Sequence, residues 1–304
     1  MKNKYSIENS PLFRLKRSSL AKILKVDENW LQHFFNLEKK PYACFSRKDS
    51  KGKIRKFYSP LGNLKRVQKQ IHIYLLRIEP PHYLYSPAEG RSSISNAALH
   101  RNKRITRTLD IYKFFPSVKR DKVYKFFRYN LQCSGGVSEL LTELCTLNDQ
   151  LPTGAPTSPL LAFYAYKPMW EKISGIVKKE ACVASVVVDD ITISGQQVSG
   201  KLIWQVEKII HSYGLECHPT KKKYFKPAAI KEITGVIVAN GELRMANRLH
   251  KKRYELVKQY NQEPSAEIKH SLQNSINGYK SYQTQIETCN LNEQFIDGPK
   301  SLQW

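Results

Sequence analysis

Residues 182–194 read CVASVVVDDITIS. Three consecutive valines mark a β-branched, buried strand; Asp189–Asp190 is where it turns, and ITIS continues as a second strand. Taken alone, an Asp-Asp pair at such a place is an ordinary polar turn. A second stretch changes its weight. TLDIYKFFPSV, residues 108–118, is an apolar strand carrying a single carboxylate, Asp110, which is costly to bury without a partner. If the two strands are sheet neighbours, Asp110 and Asp189 meet at one sheet edge. Carboxylates that close repel unless divalent cations hold them ionised. Oxygen-only ligands with no His/Cys cluster suit Mg2+, and a pair of such ions is the arrangement of two-metal phosphoryl transfer.

Around these strands the pattern is regular. LAKILKV after Ser18 or Ser19 and ENWLQHFFNL after Asp27 read as two short capped helices. YACFSRKDSKGKIRKFYSP, residues 42–60, reads as two strands joined by a polar turn at Asp49–Gly52. Leu64, Val67, Ile71, Leu75 and Ile78 recur at helical spacing before Pro80–Pro81. Further helices are expected near 120–131, 137–148, 159–178 and 199–213, with the Gly/Pro-punctuated loop LPTGAPTSP at 151–159. ITGVIVANGELRM reads as a hairpin turning on Asn240–Gly241, and 246–285 as helical. From 105 to 238 the order is strand, helices, strand–turn–strand, helix, strand. That order suits a split βαβ, ferredoxin-like sheet with helices on one face.

The 304 residues carry a formal net charge of +24. The excess is concentrated: residues 1–66, 101–128 and 216–258 are net +12, +8 and +7. A solvated basic face explains one such block; three together favour a polyanion, because self-repulsion of this size needs one to offset it. No apolar run approaches the roughly 18 residues of a membrane helix, and MKNKYSIENS lacks the apolar core of a signal peptide. Six cysteines without a CxxC pair argue against a zinc module and fit reduced thiols, so a cytoplasmic protein without membrane contact is expected.

With these residues in order, the sequence resembles a bacterial retron-type reverse transcriptase. Four features recur in the family's order: TLDIYKFFPSV, LPTGAPTSP, VVDD at 187–190 and GLECHPTKKK at 214–223. NAALH at 96–100 and Ile233–Gly235, ITG where VTG is usual, are similar to retron-specific signatures. The resemblance implies an α+β, right-hand polymerase without nuclease domains. Its parts would be an N-terminal helical extension (1–40), fingers (41–104), a ferredoxin-like palm (105–245, with fingers segments inserted at about 120–160) and a short helical thumb with a C-terminal tail (246–304).

The resemblance also implies roles. Asp110, Asp189 and Asp190 would be the catalytic and metal-binding carboxylates for two Mg2+ ions. Phe115 matches the steric gate that excludes a 2′-hydroxyl, with core packing as the competing reading. Lys53 and Arg55 resemble triphosphate contacts, or are a solvated hairpin face. Ile111, Thr153 and Gly154 fall among the nucleotide contacts, Gly154 being equally a simple turn. Lys221 resembles the lysine that protonates departing pyrophosphate, although Lys222 and Lys223 leave its register open. Asn96 and His100 are RNA contacts or helix packing, and Arg248, Lys251, Lys252 and Arg253 form a basic helix face toward RNA or toward solvent.

Three positions depart from the pattern: Val187 replaces the usual tyrosine, Thr153 the usual glutamine, and Lys113 a common acid. None removes a carboxylate. The expected function is to copy a structured cognate non-coding RNA into single-stranded DNA from dNTPs, giving a branched RNA–DNA product. The expected partners are that RNA and an effector protein of an antiphage system. Another bacterial reverse transcriptase, of an abortive-infection or intron lineage, and a catalytically silent RNA-binding scaffold remain the alternatives.

Overall fold

The protein is described by a computed structural model that covers residues 3–48, 52 and 54–292. Two short helices, α1 (Leu20–Leu24) and α2 (Glu28–Phe35), open the chain. Asp27 caps α2 as its sequence signals, its carboxylate accepting the N–H groups of Asn29 and Trp30. Ser19 makes no such bond; α1 grows instead from a 3-10 turn at Arg17–Ser19. Leu12, Leu20, Leu24, Leu31 and Phe34 belong to the main core. The segment expected as an extension is therefore packed into the body.

β1 (Tyr42–Lys48) and β2 (Ile54–Pro60) form an antiparallel hairpin with Tyr42 opposite Pro60 and Lys48 opposite Ile54. Its distal half is exposed. The expected turn lies outside the described residues except for Gly52. α3 (Gly62–Leu76) buries Leu64, Val67, Ile71 and Leu75 at the expected spacing, and β3 (Leu84–Ser86) and α4 (Ser93–Leu99) follow.

The remaining elements are β4 (Ile105–Asp110), α5 (Phe114–Ser117), α6 (Arg120–Lys125), α7 (Gly135–Cys145), α8 (Ser158–Ala165), α9 (Lys167–Lys179), β5 (Val183–Val187), β6 (Asp190–Gly195), α10 (Gly200–Ser212), β7 (Lys223–Phe225), β8 (Lys231–Ile233), β9 (Val236–Ala239), β10 (Glu242–Met245), α11 (Asn247–Gln262) and α12 (Ala266–Leu291). The aromatic helix expected as one piece is broken at Tyr166 into α8 and α9. Pro168 has no N–H to continue the first helix and sits comfortably in the first turn of the second.

A five-stranded sheet runs β3-β5-β6-β4-β7, antiparallel throughout except that β3 lies parallel to β5. With β6 between β5 and β4, and β7 outside β4, this is the split βαβ, ferredoxin-like order the sequence predicts. The strand assignment needs correcting, however. The fourth strand is the short β7, and ITGVIVANGELRM belongs to a separate three-stranded meander, β8–β9–β10. Its two turns, Thr234–Gly235 (φ 46° and 86°) and Asn240–Gly241 (φ 53° and 78°), are left-handed pairs of the kind tight hairpins require. Thr234–Gly235 of ITG is thus a turn, and the segment is not part of the five-stranded sheet. A small second core under the meander joins it to α4 and α12 through Ile94, Val236, Leu243 and Ile286.

Candidate active site

The β4–β6 register decides the site. It runs from Ile105 opposite Gly195 to Asp110 opposite Asp190, and the Ile111 N–H donates to the Asp189 carbonyl at 3.0 Å. Asp110, Asp189 and Asp190 therefore collect at one end of the sheet. Between β5 and β6 the paired residues are Val187 and Asp190, leaving Val188–Asp189 as a two-residue turn. Val188 takes φ +59°, where a β-branched residue is strained by roughly 1–3 kcal/mol. Its N–H donates to the Ser86 carbonyl at 2.9 Å, so β3 helps to hold the tip in place.

Crowding shows in the electrostatics. Burial, then the charge of Asp110, pushes the Asp189 carboxyl above its ordinary range. Burial, then Asp189 and Asp110, pushes Asp190 up to about 7. Lys221 acts in the opposite sense on both, and its ammonium donates to Asp110 Oδ2. Lys221 is delivered by residues 216–218, which lie antiparallel along the end of β4: Tyr112 N–H donates to the Glu216 carbonyl (2.7 Å) and His218 N–H to the Asp110 carbonyl (2.6 Å). The lysine register follows. Lys222 pairs with Glu207 of α10 at 2.7 Å, and Lys223 opens β7. Sequence reading missed this 216–218 tie; the buried Leu215 and half-buried Cys217, alternating with exposed Glu216, are its only trace.

Other expected residues are placed unevenly. Arg55 is close enough for its charge to lower the Asp189 carboxyl, which brings the β1–β2 hairpin toward the carboxylates. Lys53 lies outside the described residues. Ile111 is 1% exposed in the core, with its N–H committed to the Asp189 carbonyl. Phe115 is half-buried on α5, its ring centroid 6.0 Å from that of the buried Phe114. Gly154 has φ +104°, and a Cβ there would stand 3.4 Å from the Tyr58 carbonyl. The Thr153 carbonyl accepts the Tyr58 N–H at 2.8 Å, so this loop docks on β2. The backbone angle is what demands glycine, and the nearest neighbour is the hairpin backbone.

The expected contacts of Asn96 and His100 with RNA need correcting, because both side chains are wholly buried. Asn96 Nδ2 donates to Thr234 Oγ1, tying α4 to the ITG turn. His100 hydrogen-bonds Ser194 Oγ through Nδ1 (2.6 Å) and Ser185 Oγ through Nε2 (2.8 Å), and burial lowers its pKa to about 3. It is a neutral pin between α4 and the sheet. On α11 the basic set divides. Arg248 pairs with Glu232 of β8 and Arg253 donates to Gln283 of α12, whereas Lys251 and Lys252 are exposed.

Among the described residues no group of three or more His, Cys, Asp or Glu stands arranged to hold a metal ion. One reason is visible: Asp110 is turned to the Lys221 ammonium. The donor set is nonetheless all carboxylate oxygen, and the raised proton affinities of Asp189 and Asp190 are what a hard divalent cation would relieve.

No family model matches the chain. Among solved structures it is similar to a foamy viral protease–reverse transcriptase in complex with double-stranded DNA, with TM-score 0.46 and 16% identity over 92% of this chain and 44% of that one. The retron Se72 reverse transcriptase of Salmonella heidelberg is 30% identical over 249 residues, 79% of this chain and 65% of the relative. The retron Ec86 enzyme of Escherichia coli is 25% identical over 67% of this chain and 65% of the relative. For the retron Mx65 enzyme of Myxococcus xanthus the values are 24%, 65% and 51%. The chain thus spans just under two thirds of the length of the first two and about half of the third. These relatives are all retron enzymes, and the chain they match carries its aspartate, LPTG and VVDD motifs in the order of the retron-type reverse transcriptases, to which it is similar.

Proposed function

We propose that the chain is an RNA-directed DNA polymerase that copies a structured cognate non-coding RNA into single-stranded DNA, leaving the branched RNA–DNA product of a retron. The observation that carries this reading is the register placing Asp110 opposite Asp190, with Asp189 tied to Ile111. Asp110, Asp189 and Asp190 would hold two Mg2+ ions, which when bound stabilise charge on an attacking 3′-oxygen and on departing pyrophosphate. Lys221 supplies a proton-bearing ammonium beside Asp110, suited to neutralise a leaving phosphate. Arg55 brings a further positive charge to the same place, and Phe115 limits room at the sugar. An effector protein of an antiphage system is the proposed protein partner.

The test is primer extension on an RNA template with dNTPs and Mg2+. Asp110→Asn and Asp189→Asn should each lower synthesis by about 10²-fold or more while the proteins still fold and bind RNA. A parent chain that binds RNA but extends nothing would leave only the scaffold reading. Extension at the parental rate by Asp110→Asn would overturn the carboxylate assignment.

A further inference from the structure

We propose that the outward face of α10, together with the adjoining edge strand β7, is a stacking platform for a single strand of RNA behind the palm. This rests on the polymerase reading above. Side chains alternate along β4, so Thr106, Thr108 and Asp110 share one face of the sheet while Arg107 and Leu109 share the other. Arg107 Nε donates at 3.1 Å to the Val198 carbonyl, just ahead of α10, and the inner face of α10 (Leu202, Val206, Ile210) lies in the same core as Leu109. The helix therefore covers the sheet face turned away from Asp110.

Its outer stripe is Lys201, Trp204, Lys208 and His211, spaced by three or four residues and all exposed. Trp204 is 54% exposed, with the Lys208 ammonium 4.0 Å from its ring centroid. The Lys222–Glu207 ion pair ties this helix to the segment leading into β7. There Tyr224 is 47% exposed, with the Arg107 guanidinium 4.3 Å from its ring. Exposed Lys226 follows two residues on from that ring.

Two exposed rings, each carrying a cation, in a lysine-rich surround match what unpaired nucleotides need: a π-face for the base and positive charge for the phosphate. A duplex already stacks its bases on one another and offers the rings nothing. During the proposed copying the unpaired strand is the RNA template ahead of the copied stretch, so the occupant is RNA.

The experiment compares binding of two RNA-template, DNA-primer duplexes to the full chain without dNTPs, one blunt and one with a single-stranded RNA overhang of about twelve nucleotides. The overhang should tighten binding by about tenfold, the gain being lost in Trp204→Ala and kept in Trp204→Phe. Lys208→Gln should lower the salt slope of the overhang complex by roughly 0.7, and blunt-duplex affinity should hold throughout. No gain in the parent chain, a gain that survives Trp204→Ala, or an equal gain from a DNA overhang would overturn the proposal. So would an acidic peptide that binds through Trp204 while the overhang gain is untouched, which would assign the face to a protein. Because binding is read without synthesis, an inactive polymerase leaves the result intact; extension on the blunt duplex tests that separately.

Discussion

At the scale of single residues, Asp190 makes the site's strain measurable. Its pKa is raised to about 7 by burial and by its two neighbours. The fold therefore favours the protonated form: the stabilising contribution is complete below the ordinary carboxylate pKa and is lost as pH rises from about 4 through about 7. In a chelator, Asp190→Asn should melt above the parent at about pH 8, and the margin should shrink toward pH 4. His100 works in the opposite sense, since its depressed pKa costs stability as pH falls below about 6.5. The comparison must therefore be variant against parent at each pH. Melting curves with no pH-dependent margin would remove Asp190 from the crowded cluster. Phe115 offers a second test. A half-buried ring should cost about 1–2 kcal/mol on replacement by valine, less than the roughly 3–5 of a fully buried one replaced by alanine. Phe115→Val should thus remain folded and incorporate rNTPs more readily relative to dNTPs; unchanged sugar choice would return Phe115 to the core.

Among elements, α11 sorts its cations by what they touch. Arg248 and Arg253 hold the helix to β8 and α12, so reversing them would disturb packing as well as charge. Lys251 and Lys252 are the informative pair. Lys251→Glu with Lys252→Glu should weaken binding of a structured RNA and flatten its salt dependence by about 1–2 in slope. Extension of a generic annealed primer–template should suffer less; equal loss on both would make the helix a general clamp. The division was only half legible. Leu249, Leu256 and Tyr260 recur at helical spacing, and all three are half-buried in the structure. Which arginines found partners depended on Glu232 and Gln283, far away in sequence. Asn96 and His100 were left open between RNA contact and packing for the same reason: their hydrogen-bond partners, Thr234, Ser185 and Ser194, lie about 85 to 138 residues distant. Hairpin and helix signals are local; a buried polar side chain announces its exposure only through tertiary neighbours.

For the whole molecule, the order of elements was readable because valine runs, turn dipeptides and helical periodicity each carry a local physical cause. The identity of the strand outside β4 was not. LysTyrPhe at 223–225 is too short and too polar to outrank ITGVIVA, and only its pairing with Thr106–Thr108 makes it a strand. The same ladder has a consequence for how the chain is made. β4 sits between β6 and β7, so neither of its partners exists until long after it has left the ribosome. Asp110 faces Asp190 in the finished sheet, and at roughly 5–20 residues per second the wait between them is on the order of ten seconds. Through that interval ITRTLDI is a nascent strand with both edges bare; α5 to α9 are synthesised meanwhile, and α10, which covers its face, comes only after β6. The order of emergence thus makes the pairing of Asp110 with Asp190 a late event, closed from both sides only once β7 has followed.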